Sequence, residues 1–382
     1  MTRFRVTRAP DRLKDFRQSQ SPSVLPERQL ENAAERLADG LVAMESAERP
    51  LALTLGDPAG IGPDITLLAF QARLSVPVPP FVLIGDPRVL AERASALGLD
   101  IEIATVGEAD EAPALFAKAL PVLPISVAGN VVAGRPDSAA AGAVQRSIER
   151  AVELVRAGTA SAVVTNPISK ATLIHAGFGF PGHTEFLAKL AGLEASDVVM
   201  MLVSPELRVV PVTIHLPLKE VMAALNEERI VKTLEITARD LARYFGVARP
   251  RIAVAGLNPH AGEDGTMGRE EIEMIIPAIA AACRQGLDVS GPYSADTLFH
   301  AEARKTYDVA VAMYHDQALI PIKTLAFDLG VNVTLGLPFV RTSPDHGTAF
   351  ALAGTGQASP RSLIEALRLA DAMQAQAADA KP

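Results

Sequence analysis

Histidines that follow predicted strands are the residues of this chain best suited to chemistry. His215, His260 and His315 each come after a run of apolar and β-branched residues typical of a buried strand. The carboxyl ends of parallel strands share one edge of a sheet, so the three loops can converge there. Neutral imidazoles bind divalent transition metals and leave a coordination position open for substrate. The spacing matches no short metal motif, so the position after strands carries this prediction.

A second group of residues suits an anionic substrate. Lys323 and Arg341 have side chains that bind phosphate or carboxylate, and His183, Thr184 and Asn332 add hydrogen-bonding groups. Small and apolar residues surround Arg341 in a predicted loop, which favours a binding role over that of a solvated surface cation.

The elements that position these residues alternate between strands and helices. This alternation predicts an α/β fold with a largely parallel sheet. The first strand, 51–55, leads into a glycine-rich segment at 56–64 that has neither the G-x-G-x-x-G spacing nor a P-loop lysine. The main helices are predicted at 64–74, 87–97, 138–157, 219–245, 268–285 and 359–374.

Two apolar runs, 198–203 and 207–214, predict a β-hairpin. We expect one face of this hairpin to need cover, which a neighbouring helix could supply; we favour a partner subunit, because His215 ends the second strand. That face is formed by Met200, Met201, Val209 and Val210.

Length and composition favour a soluble globular enzyme. The chain has 382 residues, of which 49% are hydrophobic and 21% charged, enough for two α/β domains. A net charge of −8 disfavours non-specific nucleic-acid binding. The single cysteine, Cys283, excludes an intrachain disulfide, and we find neither a bilayer-spanning apolar run nor a secretory signal. We therefore expect no membrane association and a cytoplasmic location.

Residues 1–48 differ from the remainder, because the first 26 are basic and poor in apolar side chains. They predict a disordered N-terminal extension, with a possible short amphipathic helix at 27–46. A transit peptide and a start site misassigned upstream of Met44 are the alternatives that the residues leave open.

Six motifs, in order along the chain, carry a resemblance to a known family. They are GDPAGIGP at 56–63, GHTEF at 182–186, TIHLP at 213–217, LNPHAGE at 257–263, MYHDQ at 313–317 and GLPFVRTS at 336–343. Together they resemble the 4-hydroxythreonine-4-phosphate dehydrogenase family of vitamin B6 biosynthesis, over roughly residues 50–378. The segment 345–354 also resembles the nucleotide-binding loop of isocitrate and isopropylmalate dehydrogenases.

The resemblance implies a fold and an assembly. It implies two α/β/α domains with mostly parallel sheets and an interdomain cleft, as in isocitrate and isopropylmalate dehydrogenases. The first domain comprises 49–165 plus 325–382 with the nucleotide-binding loop, and the second comprises 166–324 with the metal ligands and the dimer interface. It further implies a homodimer whose subunits share the metal site.

The resemblance also implies a reaction. It is the NAD(P)-dependent oxidation of 4-phosphooxy-L-threonine to 2-amino-3-oxo-4-(phosphooxy)butanoate, which decarboxylates to 3-amino-2-oxopropyl phosphate. One divalent metal per subunit, Zn, Mg or Co, is implied as well.

The residues that the family uses fall on matching residue types here. The implied metal ligands are His215, His260 and His315, and the implied substrate contacts are His183, Thr184, Lys323, Asn332 and Arg341. The cofactor contacts are expected at Asp345, His346 and Gly347, and the candidates for the proton acceptor are Lys170 and Asp316.

Other functions remain open at the sequence level. Relatives with the same metal triad act on phospho-threonate, phospho-erythronate or aromatic cis-diols. A zinc hydrolase explains the three histidines but not the 345–354 segment, and no Glu adjoins a ligand His as a general base. A non-catalytic phosphate-binding protein needs no histidine triad.

Overall fold

A computed structural model describes residues 49–180 and 182–379. The predicted N-terminal extension, with its possible helix, lies outside the described residues.

Twelve strands of the described residues join in one sheet, in the order β3-β4-β2-β1-β5-β12-β11-β6-β7-β10-β8-β9. The strands are Leu51–Thr54 (β1), Phe81–Gly85 (β2), Ile103–Thr105 (β3), Leu120–Pro124 (β4), Val163–Val164 (β5), Val199–Val203 (β6), Arg208–Thr213 (β7), Arg251–Ala255 (β8), Asp288–Tyr293 (β9), Val309–Tyr314 (β10), Val331–Leu335 (β11) and Arg341–Pro344 (β12). Strands β11 and β6 make antiparallel pairs with each other and with their outer neighbours β12 and β7, while the remaining pairs are parallel. The predicted fold class, a mostly parallel α/β sheet with helices, is confirmed.

Thirteen α-helices of the described residues accompany the sheet. They are Gly62–Ala72 (α1), Pro87–Ala96 (α2), Ala112–Leu115 (α3), Ala141–Ala157 (α4), Lys170–His175 (α5), His183–Ala191 (α6), Leu218–Ala224 (α7), Glu227–Phe245 (α8), Ile276–Arg284 (α9), Ala295–Leu298 (α10), Ala301–Arg304 (α11), His315–Ala326 (α12) and Arg361–Asp379 (α13). None of the described helices is long and apolar enough to cross a bilayer.

The central strands are buried on both faces, as expected where helices cover a parallel sheet. Strand β1 is buried along its whole length, and in β10 only the final residue, Tyr314, is partly exposed. Continuous apolar runs rather than strict alternation therefore signal these strands in the sequence.

The predicted hairpin is present, but its role was predicted wrongly. Strands β6 and β7 pair antiparallel through Leu202 and Val209. The four residues assigned to a partner-covered face are buried within the single chain: Met200, Met201, Val209 and Val210. The hairpin lies inside the sheet, between β11 and β10, so this chain covers both of its faces.

Two predicted helices are interrupted. The helix expected at 219–245 breaks into α7 and α8, because the Asn226 side chain accepts a hydrogen bond from Arg229 N and begins a new helix. The helix expected at 268–285 begins with a π-helical turn at Glu271–Ile275, before α9.

Three neighbouring parallel strands, β7, β10 and β8, end at a common edge of the sheet. His215 follows β7, His315 follows β10 directly, and His260 follows β8 after a short connection. Strands β5 and β12 are parallel neighbours elsewhere in the same sheet. The division into two domains at 165/166 and 324/325 stays a prediction.

Candidate active site

A cleft of about 310 Å³ lies where several of these strands end. Most of the residues predicted for the site line it: Lys170, His183, Thr184, His215, His315, Lys323, Asn332, Asp345, His346 and Gly347. Arg341, His260 and Asp316 are not among its lining residues.

Arg341 lies buried immediately behind the cleft wall, with only 3% of its surface exposed. It is the first residue of β12 rather than part of the predicted loop. Its guanidinium donates to Thr165 Oγ1 at 2.6 Å and Thr334 Oγ1 at 3.0 Å, and lies 3.5 Å from Asn332 Oδ1. Its Nε is buried without a partner among the described residues. Burial lowers the pKa of Arg341 to about 10, so it remains a cation at neutral pH, and its hydrogen-bond partners are neutral.

Lys323 provides a second cation, from the last turn of α12. Its Nζ lies 2.9 Å from Asp345 Oδ2. Burial raises the pKa of Asp345, whereas the hydrogen bond and charge of Lys323 lower it. This pair joins the predicted substrate side of the cleft to the predicted cofactor segment.

His183 and Thr184 lie at the start of α6, where free backbone N–H groups and the helix dipole favour an anion. The Nε2 atom of His183 is buried without a hydrogen-bond partner in the described part of the chain. Burial, followed by the charges of Arg341 and Lys170, lowers the pKa of His183 well below its usual range. His183 is therefore neutral at pH 7 and has an unpaired ring nitrogen.

His215 and His315 come together at the adjacent ends of β7 and β10. Their ring centroids are 5.6 Å apart. Nδ1 of His315 lies 2.7 Å from Asp316 Oδ1, so an ionised Asp316 places the ring proton on Nδ1 and leaves the lone pair of Nε2 free to bind a metal. Partial desolvation, then the charges of Lys170 and His315, lowers the pKa of His215. The lowered pKa favours a neutral His215, and the tautomer of His315 directs an unprotonated ring nitrogen away from Asp316, as metal binding requires.

His260 is exposed and lies in a separate turn after β8. Within 49–180 and 182–379, no three His, Cys, Asp or Glu side chains gather into a group able to hold a metal ion. A single chain therefore brings together two of the three predicted ligands and leaves His260 apart.

The glycine-rich segment after β1 is tied to the predicted cofactor segment. Ile61 N donates to Thr348 O at 3.0 Å, and Gly354 N donates to Asp64 Oδ1 at 2.7 Å. Asp64 also forms a buried ion pair with Arg93. The two segments are therefore joined by direct hydrogen bonds, although the glycine segment matches no phosphate motif.

Several residues of the site were missed from the sequence. Thr165 and Thr334 hold the Arg341 guanidinium, and Glu185 lines the cleft in the first turn of α6. Thr165 follows β5 directly, so the strand-end position was an available signal. Thr334 lies within β11, and only its pairing next to β12 brings it to Arg341.

The fold and cleft define an α/β enzyme with a polar, histidine-rich site at its strand ends. Residues 78–370 match the family described as "Pyridoxal phosphate biosynthetic protein PdxA". A 4-hydroxythreonine-4-phosphate dehydrogenase from Methylorubrum extorquens is 58% identical over 341 residues, which cover 88% of this chain and 97% of that protein. The chain belongs to the pyridoxal phosphate biosynthetic protein PdxA family and is a dehydrogenase.

Two solved structures are similar along most of their length. A crystal structure of 4-hydroxythreonine-4-phosphate dehydrogenase from Klebsiella pneumoniae is 38% identical, with a TM-score of 0.77, covering 85% of this chain and 99% of that chain. A terephthalate 1,2-cis-dihydrodioldehydrogenase from Burkholderia xenovorans LB400 is 30% identical, with a TM-score of 0.57, covering 85% and 98%. Related folds therefore serve proteins named for different substrates.

Proposed function

We propose that this dehydrogenase oxidises 4-phosphooxy-L-threonine with NAD or NADP. The product, 2-amino-3-oxo-4-(phosphooxy)butanoate, then loses CO2 to give 3-amino-2-oxopropyl phosphate for pyridoxal phosphate biosynthesis. The observation that carries this choice of substrate is Arg341, a buried cation whose hydrogen-bond partners are neutral and which adjoins the cleft. A buried guanidinium without a carboxylate is poorly solvated, so a phosphate dianion is a suitable partner.

Different residues of the cleft would bind different parts of the substrate. Arg341 and Lys323 bind the phosphate, and Asn332 orients it by a further hydrogen bond. His183, neutral and with a free ring nitrogen, and Thr184 bind the polar groups at the other end of the substrate. Charge-assisted hydrogen bonds of this kind contribute about 1.5–3 kcal/mol each.

The site fits one divalent metal ion per subunit, held by His215, His315 and a third imidazole. The donor set favours Zn or Co over Mg, because imidazole suits transition metals and Mg prefers oxygen. Such an ion would act as a Lewis acid on the substrate hydroxyl. Asp316 would fix the tautomer of His315 and keep its Nε2 directed to the ion.

We propose that the third ligand, His260, comes from the partner subunit of a homodimer. Two observations support this. His260 is exposed and separate from the histidine pair, and apolar side chains beside both regions are exposed. These side chains are Leu216, Leu218 and Met222 near His215, and Met267, Ile272 and Ile276 near His260.

The nicotinamide cofactor accepts the hydride, and we assign its binding to Asp345, His346 and Gly347. These residues line the cleft, and Asp345 is held by Lys323. Of the two candidate proton acceptors, Lys170 is favoured because it lines the cleft and its charge acts on His183 and His215. Asp316 is exposed and occupied by His315. The cytoplasmic location expected from the single cysteine is part of the same proposal.

The test is the rise of NAD(P)H absorbance with a panel of substrates. We expect kcat/KM for 4-phosphooxy-L-threonine to exceed the values for phospho-threonate, phospho-erythronate and terephthalate cis-dihydrodiol by at least about ten-fold. The dihydrodiol is the control for the Arg341 argument, because it has no phosphate. A higher kcat/KM with the dihydrodiol contradicts the assignment. If only phospho-threonate or phospho-erythronate is turned over, that acid is the substrate instead.

A further inference from the structure

The turn that carries His260 has an unusual backbone. Residues 260–264 have φ angles of 52, 51, 81, 39 and 53°, so five consecutive residues are left-handed. One of them, Gly262, is free of the steric cost that a Cβ brings in this region. A left-handed run of this length, with four side chains in it, must be held by contacts from outside the turn.

Glu271 supplies contacts immediately before the turn. Its carboxylate is buried, with 2% of the residue exposed. Oε1 accepts hydrogen bonds from Leu257 N and Asn258 N, both at 2.8 Å, and Oε2 accepts one from Asn258 Nδ2 at 2.9 Å. The carboxylate therefore fixes the two residues that lead into Pro259 and His260.

The turn is also packed directly against this carboxylate. A Cβ on Gly262 would come 2.5 Å from Glu271 Oε2, and a Cβ on Gly256 would come 3.2 Å from Oε1. Glycine on both sides lets the backbone close around one buried side chain. Glu271 itself begins the π-helical turn Glu271–Ile275, a form that occurs frequently at functional sites.

We propose that Glu271 is the positioning residue that presents His260 to the metal. It is not among the lining residues of the cleft, and its carboxylate binds Leu257 and Asn258, so it acts through the direction of the His260 turn. The inference rests on the proposed metal site, and it adds a buried carboxylate to the residues on which that site depends.

The experiment compares Glu271→Gln with Glu273→Gln in the full-length protein. Glu273 lies in the same helical turn but is exposed and pairs with Arg269 at 2.6 Å, so Glu273→Gln is a matched control. A glutamine at 271 keeps one acceptor oxygen but turns an NH2 group toward Asn258 Nδ2, which breaks that hydrogen bond. Three quantities are measured: Co2+ affinity by competition with a chelator, hydrogen exchange of residues 257–268, and KM for the phosphorylated substrate.

We expect Glu271→Gln to lower Co2+ affinity by about 10–100-fold, the range found when residues supporting a metal ligand are removed. Hydrogen exchange should rise in 257–268 while the variant stays a dimer and keeps its KM. Glu273→Gln should match the wild type in all three. A purely structural role would instead lower thermal stability and raise KM while the folded fraction binds Co2+ normally, and that result would overturn the proposal.

A second variant covers the case in which Glu271→Gln does not fold. Asn258→Ala removes the Nδ2 hydrogen bonds to the Glu271 and Glu270 carboxylates and keeps both charges. We expect about a ten-fold loss of Co2+ affinity in Asn258→Ala and no loss in Glu270→Gln, which leaves the Glu271 contacts intact. Unchanged affinity in Asn258→Ala overturns the role of Glu271. Wild-type protein that takes up no Co2+ overturns the proposed metal site and this inference with it, whereas normal wild-type uptake with unchanged variants overturns only the role of Glu271.

Discussion

The two sides of the proposed site are built in opposite ways. On the phosphate side, Arg341 is buried in a strand and held within the same chain by Thr334 on β11 and by Thr165 directly after β5. On the metal side, two histidines adjoin, but the third lies in an exposed left-handed turn. A sheet can hold a buried cation rigidly, whereas a ligand on a turn depends on supporting contacts and, in our proposal, on a partner subunit.

The sharpest test of this contrast is His260→Ala. We expect turnover to fall by more than about 100-fold, because loss of a direct ligand should exceed the 10–100-fold cost of losing its supporting residue. His260 is exposed, so the fold should survive. Activity and bound metal are measured after dialysis, with His300→Ala as the control, since His300 lies outside the cleft. Undiminished activity in metal-free protein would remove the metal from the mechanism.

Mixing variants tests how the ligands are divided. Dimers of His215→Ala and of His260→Ala are each expected to be inactive, and subunit exchange should restore part of the activity if the two ligands meet across the interface. If subunit exchange is demonstrated but no activity returns, His215 and His260 do not come from different subunits. An active monomer in sedimentation at the assay concentration argues against the dimer itself.

Arg341→Ala should have the next largest effect. Losing one charge-assisted phosphate contact of about 1.5–3 kcal/mol raises the substrate KM by about one to two powers of ten. The KM for NAD should change little, because the proposed cofactor residues begin beyond β12, at Asp345. Initial rates over both substrates measure this difference. Equal weakening of both would mean that Arg341 serves a different subsite.

Asp316→Ala distinguishes two roles for this carboxylate. If Asp316 orients His315, the variant should bind metal about ten-fold more weakly while the substrate KM is kept. Chelator competition and steady-state kinetics together measure this. A lower kcat with normal metal affinity would instead favour Asp316 as the proton acceptor over Lys170.

Thr165→Val should have the smallest effect. The variant keeps the shape of the side chain but loses the 2.6 Å hydrogen bond to Arg341, a contribution of about 1.5–3 kcal/mol for a charged partner, part of which Thr334 and Asn332 can replace. We expect substrate KM to rise only about three- to ten-fold, with Thr159→Val as a control remote from the cleft. A KM as high as that of Arg341→Ala would show that Thr165 contacts the substrate itself.

Much of the fold could be predicted because each element has a local signal. Apolar runs identified β1, β6, β7 and β10, and the hairpin between β6 and β7 was placed correctly. The break at Asn226 was missed, although an Asn followed by two Glu residues is a typical helix start. The prediction that a partner subunit covers the hairpin was wrong. The hairpin is buried because it lies between β11 and β10, and no local sequence pattern reveals that strand order.

The predicted site residues were found by motif and strand-end position, and most of them do line one cleft. Their supporting residues were not found. Thr334 reaches Arg341 only through the pairing of β11 with β12, and Arg93 meets Asp64 only through the packing of α2 beside α1. Glu271 carries no sequence signal that separates it from Glu270 or Glu273.

The sequence alone determined the α/β class, the strands that end in histidine, and the basic residues suited to phosphate. These features can be read from short stretches of sequence, because strand and helix periodicity and residue type are local properties. The tertiary structure decided which of these residues meet. It brings His215 to His315 through adjacent strands, leaves His260 on a separate turn, and buries Arg341 between two threonines. These are contacts between distant parts of the chain, and strand order and packing, rather than local pattern, determine them.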